Sequence, residues 1–181
     1  MSKKTFDDLD GNGERQPTDE DDSLYETQIQ DILKKHDCIE CPVIANDEIH
    51  TIKMNPTRGS LGKPTFFIMN LSDRDSKEGG THWTAVWIDK YDCIYFDSFG
   101  REPEPETVEG LKKLCETSYE NVTMRKFKHN KKLIQDIDSS DCGYFCINFI
   151  ERMCNGMSFK EATNFTEEDV QRLVDKTEKY I

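Results

Sequence analysis

Residues 79–100, GGTHWTAVWIDKYDCIYFDSFG, contain two short apolar runs joined by a polar turn. The first run covers residues 82–88 and the second covers residues 93–97. The four residues between them include two aspartates, and this length suits a hairpin loop between antiparallel strands. Pairing the two runs in this way places His82 and Asp97 at the same open end of the hairpin, close enough to form a hydrogen bond.

Further elements are predicted on both sides of this hairpin. Residues 65–71 are another short apolar run, which predicts a buried strand, and residues 122–127 predict one more. Residues 42–62 predict a loop with a short strand. Helices are predicted where apolar residues recur at helical spacing: at 25–33 behind a Ser23–Glu26 capping box, at 108–115, at 143–154, and after Ser158 and Thr166. This order predicts an α+β domain, in which a small mixed or antiparallel sheet is packed by helices.

The first 22 residues differ in composition from the rest of the chain. They carry eight acidic residues against three basic ones and almost no apolar residues, which is typical of disordered segments. We therefore predict an acidic, disordered N-terminal tail over residues 1–22 and a single domain over residues 23–181.

Composition excludes several classes of protein. The net charge of -12 argues against a general nucleic-acid binder, because phosphate contacts need a basic face. No apolar stretch approaches the roughly 18 residues of a membrane span, and the N-terminus lacks the apolar core of a secretory signal. The seven cysteines are an odd set without framework spacing, which favours free thiols in a reducing compartment. We expect a protein that is not secreted.

One cysteine stands at the predicted start of the most apolar helix. Cys142 follows Ser139, Ser140 and Asp141, which are natural helix-capping residues. The N-terminus of a helix favours a thiolate, and a thiolate beside a histidine is a nucleophile. The alternative is a buried structural cysteine, which is the more common use of this residue.

A base for such a nucleophile is available in the hairpin. Among the four histidines, His82 alone begins a predicted strand directly after Gly79-Gly80-Thr81, and a glycine pair lets a second chain segment approach closely. Asp97 at the same end of the hairpin would orient the imidazole ring, as in other sets of nucleophile, base and orienting acid.

Three blocks carry a resemblance to a known family: GGTHWTAVWID (79–89), CIYFDSFG (93–100) and QDIDSSDCGYFCINFI (135–150). They resemble the adenovirus-type (adenain-like) maturation proteases, relatives of the SUMO-deconjugating proteases. The resemblance implies a papain-like cysteine protease with Cys142 as nucleophile, His82 as base and Asp97 as orienting acid. It also implies Gln135 as a donor to the oxyanion, and a place for Trp83 in the substrate groove, although Trp83 could equally be a core residue.

The resemblance also bears on the substrate. Gln135 lies seven residues before Cys142, which is the spacing of the adenovirus-type enzymes, whereas Asp97 and the Asp-Cys-Gly motif are closer to SUMO proteases. The implied function is cleavage of viral capsid and core precursors at Gly-Gly-X or Gly-X-Gly sites, in host cytoplasm or nucleus and in the virion, by an enzyme of a virophage or polinton-like virus. The alternatives are a deconjugating protease for a host ubiquitin-like modifier and a cysteine-dependent acyltransferase.

No metal or organic cofactor is implied. Cys38 and Cys41, with His36 and His50 nearby, make half of a zinc pattern, but a structural zinc site needs a second close pair. Residues 8–13 imitate the start of an EF-hand loop without its final glutamate.

The expected partners are protein substrates, and we expect a monomer without membrane contact. One basic run lies in this acidic chain, formed by Arg125, Lys126, Lys128, Lys131 and Lys132. It is either a solvated strand edge protected by its charge or a contact site for an acidic peptide or nucleic acid.

Overall fold

The computed structural model describes residues 24–35, 41–54, 63–76, 82–116 and 125–177. Its strands are β1 (Val43–Ala45), β2 (Thr65–Asn70), β3 (Trp83–Ile88), β4 (Asp92–Phe96) and β5 (Lys126–His129). Its α-helices are α1 (Glu26–Lys35), α2 (Pro105–Glu116), α3 (Cys142–Cys154), α4 (Phe159–Ala162) and α5 (Glu167–Thr177), and a 3₁₀ helix covers Asn46–Thr51. The predicted α+β class is confirmed.

The five strands form one mixed sheet in the order β1-β2-β3-β4-β5. Strands β2, β3 and β4 are antiparallel neighbours, whereas β1 and β5 each lie parallel to the adjoining strand. The predicted hairpin is β3–β4, in which Ala85 lies opposite Phe96 and Ile88 opposite Cys93. This register places the start of β3 and the end of β4 side by side, at the same end of the two strands.

Helices cover both faces of the sheet. On one face α1, α3 and α4 pack on Ile68, Trp87 and Phe96. On the other face α2 and the 3₁₀ helix pack on Phe67 and Tyr95. Coverage of both faces explains why β2 and β3 are apolar at consecutive positions instead of alternating with polar residues.

Two segments differ from their predicted boundaries. The described strand β5 begins at Lys126 and ends at His129, later than the predicted 122–127, because it pairs in parallel with Asp92 to Tyr95 of β4. Its alternating lysines do not carry the apolar pattern of a strand. Residues 42–54, predicted as a loop with a short strand, contain both β1 and the 3₁₀ helix.

Several predictions fall outside the described residues: the acidic tail, the Ser23 cap, the EF-hand-like segment, and His36 and Cys38 of the half zinc pattern. Within the described ranges, no three His, Cys, Asp or Glu side chains are grouped so that they could hold a metal ion. No helix in the same ranges is long and apolar enough to cross a membrane.

Candidate active site

The histidine and the acid lie at the end of the sheet where β3 begins and β4 ends. His82 directly precedes β3 and Asp97 directly follows β4. The Nε2 atom of His82 lies 2.7 Å from Oδ1 of Asp97, and both side chains are buried. A carboxylate that accepts from one ring nitrogen leaves the other, Nδ1, to face a third group.

That third group is Cys142, the first residue of α3. Its thiol interacts with the His82 ring and donates to the Ser140 carbonyl at 4.0 Å. Burial lowers the pKa of His82, but the hydrogen bonds with Asp97 and Cys142 outweigh burial and raise this pKa from 6.5 to about 9. A positively charged imidazole beside a thiol is the arrangement that favours a thiolate.

The helix itself is held close to α1. Gly143 follows Cys142, and a Cβ atom at this position would lie 3.1 Å from Cβ of Leu24, just before α1, so a side chain here would fit only if Leu24 moved by a few tenths of an ångström. Asp141 occupies the N-cap position, although its side chain makes no capping hydrogen bond. The first amides of a helix point toward its N-terminal end, which is where Cys142 lies.

Gln135 is fixed at both ends of its side-chain amide. The Ser98 hydroxyl donates to Oε1 of Gln135 at 2.6 Å, and Nε2 of Gln135 donates to the Ser139 carbonyl at 2.8 Å. Gln135 is only 2% exposed. Ser98 directly follows Asp97, and Ser139 lies shortly before α3. The Gln135 side chain therefore connects the segment that carries the acid with the segment that leads into α3.

Trp83 lies in the core rather than at an open surface. The residue is 8% exposed and packs with residues of α1 and α3. Its indole N–H donates to the Leu24 carbonyl at 2.8 Å. The substrate-binding role of Trp83 stays a prediction, and in this structure its polar atom already has a partner.

Three residues that surround Asp97 were not predicted from the sequence. The side chain of Asn130 bonds both main-chain groups of Asp97: Oδ1 accepts from its N–H at 2.9 Å and Nδ2 donates to its carbonyl at 2.6 Å. The N–H of Phe99 donates to Oδ1 of Asp97 at 2.8 Å, and the Phe99 ring stacks on His82 at 4.8 Å. Ser98 bonds Gln135 as described above. Ser98 and Phe99 stand inside the CIYFDSFG block, but Asn130, which lies within the basic run, belongs to no motif.

The members of the basic run differ in their exposure and in their partners. Arg125 donates to the carbonyls of Asp89 and Cys115, and Lys128 pairs with Asp92, so both stabilise the sheet edge. The other members of the run, Lys126, Lys131 and Lys132, are exposed. Contact of this run with an acidic peptide or nucleic acid stays a prediction.

The raised pKa of His82 makes the stability of the fold depend on pH. Because this pKa is higher in the folded protein than the ordinary 6.5, protonation of the ring stabilises the folded state fully below about pH 6.5, and this contribution is lost as the pH rises through about 9. We expect the free energy of unfolding of the wild type to exceed that of His82→Gln by more at about pH 6 than at about pH 10.

Urea unfolding followed by tryptophan fluorescence at the two pH values measures this difference. His50→Gln is the matched control, because it removes an exposed histidine from the 3₁₀ helix. A gap between wild type and His82→Gln that widened toward alkaline pH would contradict the raised pKa.

Known proteins that resemble this chain in sequence or in fold include proteases. Residues 65–181 match the sequence profile of the Ulp1 protease family, C-terminal catalytic domain. A thiol protease of Acanthamoeba polyphaga mimivirus is 34% identical over 84 residues, which are 44% of this chain and 27% of that protein.

Two crystal structures of the ASFV pS273R protease have the same fold. One superimposes with a TM-score of 0.51 at 14% identity, over 71% of this chain and 55% of the other. The selenomethionine form gives a TM-score of 0.55 at 13% identity, over 81% and 64%. The chain thus spans about a quarter of the mimivirus protein and less than two thirds of the ASFV protease chains.

Proposed function

Because the chain belongs to the Ulp1 protease family, whose catalytic domain its residues 65–181 match, we propose that it is a cysteine endopeptidase with Cys142 as its nucleophile. In this proposal His82 is the base, Asp97 orients it and Gln135 donates to the oxyanion. The observation that carries the proposal is the buried His82–Asp97 hydrogen bond beside the thiol at the start of α3.

The proposed reaction has two stages. The Cys142 thiolate attacks the carbonyl carbon of the scissile peptide bond, and the negative charge passes to the carbonyl oxygen, which Gln135 and the first amides of α3 stabilise. As the C–N bond breaks, protonated His82 gives its proton to the leaving amine, and a thioester remains on Cys142. Neutral His82 then takes a proton from water, the hydroxide displaces the thiolate, and the carboxylate product leaves.

We place the substrates among viral capsid and core precursors, cut at Gly-Gly-X or Gly-X-Gly sites in the infected cell or the virion. Two findings support this. The sequence blocks resemble adenovirus-type maturation proteases, and the relatives found by comparison include a mimivirus thiol protease and an ASFV protease. Small residues before the cut also suit a nucleophile that is itself only 7% exposed.

The purified full chain and a set of fluorogenic peptides test this proposal. We expect hydrolysis of peptides with Gly-Gly-X and Gly-X-Gly sites and none of matched peptides in which leucine replaces both glycines. Cleavage that survives alkylation of all thiols would contradict a cysteine mechanism. Equal cleavage of the leucine peptides would contradict the substrate class alone.

The second candidate is a protease that removes a ubiquitin-like modifier. It is favoured by the match to the Ulp1 family. A vinyl-sulfone derivative of a ubiquitin-like protein would label Cys142 of a deconjugating enzyme and would leave a maturation protease unlabelled. Consumption of acetyl-CoA in the presence of a protein acceptor would instead indicate an acyltransferase.

A further inference from the structure

The side-chain amide of Gln135 has two ends of nearly equal size and opposite hydrogen-bonding character. Only its Nε2 end donates, so only one of its two orientations can stabilise an oxyanion. The amide is buried, and its orientation is therefore set by its immediate polar neighbours.

Two neighbours set this orientation. The Ser139 carbonyl can only accept, so it takes the Nε2 end, at 2.8 Å. The Ser98 hydroxyl donates to the Oε1 end at 2.6 Å. With one Nε2 proton held by Ser139, the second Nε2 proton is the one left for another acceptor.

Ser98 is itself rigid. It is fully buried, and its main-chain carbonyl accepts from the N–H groups of Ile134 and Gln135 at 2.8 and 3.1 Å. Ser98 also follows Asp97 directly, and the main chain of Asp97 is bonded twice by Asn130. The chain directly after β4 thus carries the acid, Asp97, and at the next residue the hydroxyl that bonds the Gln135 amide.

We propose that Ser98 is a positioning residue that holds Oε1 of Gln135 so that the free Nε2 proton faces the oxyanion. The inference rests on the proposed function, since it concerns the same reaction. Donation to Oε1 also polarises the amide and strengthens Nε2 as a donor, because hydrogen bonds in a chain reinforce one another.

The test begins with Ser98→Ala, which deletes the hydroxyl and little volume. We expect kcat on the Gly-Gly-X peptide to fall about ten-fold, the equivalent of one hydrogen bond, with the rate of iodoacetamide alkylation at Cys142 unchanged. Thr107→Val is the matched control, because its buried hydroxyl donates to the side-chain oxygen of Asn46 at 3.1 Å, on the α2 face of the sheet. It should leave kcat unchanged.

A double-mutant cycle separates positioning from general destabilisation. In the Gln135→Ala background Ser98→Ala should lower kcat by less than about two-fold, since there is no amide left to position. The same ten-fold loss in both backgrounds would overturn the proposal. Ser98→Thr, which keeps the donor, should recover kcat relative to Ser98→Ala, and equal loss in both would also count against it.

An NMR measurement distinguishes failure of this inference from failure of the proposed function. The side-chain amide signal of Gln135 is identified as the one missing from Gln135→Ala. We expect Ser98→Ala to shift and broaden this signal even if no peptide is hydrolysed, whereas an unchanged signal would overturn the role of Ser98. Absence of hydrolysis by the wild type would count against the peptidase proposal alone.

Discussion

Cys142→Ala is expected to abolish peptide hydrolysis while the fold persists. Loss of the attacking atom typically lowers kcat by at least about 10⁴-fold, since the remaining site can only bind and polarise the substrate. The change deletes one sulfur at the start of α3, and alanine is the residue best tolerated in a helix. Turnover of the Gly-Gly-X peptide and thermal unfolding measure the two effects separately.

The control for this variant lies one turn further along the same helix. Cys146 is fully buried, and burial together with the nearby Cys142 raises the pKa of its thiol well above the ordinary value. It is therefore held as a thiol and unfit to attack. Cys146→Ala should keep its turnover and lose about 1–2 kcal/mol of stability through the small cavity that it leaves. Near-normal turnover by Cys142→Ala would show that another cysteine is the nucleophile.

The elements that the sequence predicted correctly are those with a local signal. The β3–β4 hairpin has two apolar runs and a short polar turn, so its pairing follows from neighbours along the chain. Strand β5 has no such signal, because its KFKH sequence pairs with β4 across more than thirty residues and lies at the edge of the sheet. Its charged side chains suit an edge strand but do not predict where it begins.

The site likewise contains residues that have a local sequence signal and residues that have none. His82, Asp97 and Cys142 each stand at the end of a predicted element, and the structure brings these three ends together. Asn130 acts on main-chain atoms of Asp97, and Ser98 acts on the far end of Gln135. Such contacts depend on where two distant segments meet, and the residue types alone carry no sign of them.

Gln135→Ala is expected to separate two reactions that share Cys142. Hydrolysis builds a negative charge on the substrate oxygen, and loss of one donor to that charge typically lowers kcat by about 10²–10³-fold. Alkylation by iodoacetamide builds no such charge, so its rate at Cys142 should stay within about two-fold of the wild type. The first measurement is peptide turnover, and the second is mass spectrometry of the labelled protein.

The hydrogen bonds of Gln135 allow two other outcomes of this experiment to be interpreted: loss of both rates, or loss of neither. Its side chain joins Ser98 to the Ser139 carbonyl, so alanine could release the segment that precedes α3. In that case turnover and alkylation would fall together, and Gln135 would be a structural link to the helix. If neither rate changed, Gln135 would have no part in the reaction. Gln135→Glu refines the test, because a carboxylate of the same size accepts where the amide donates. We expect Gln135→Glu to lose at least as much turnover as alanine, since its negative charge would face the oxyanion.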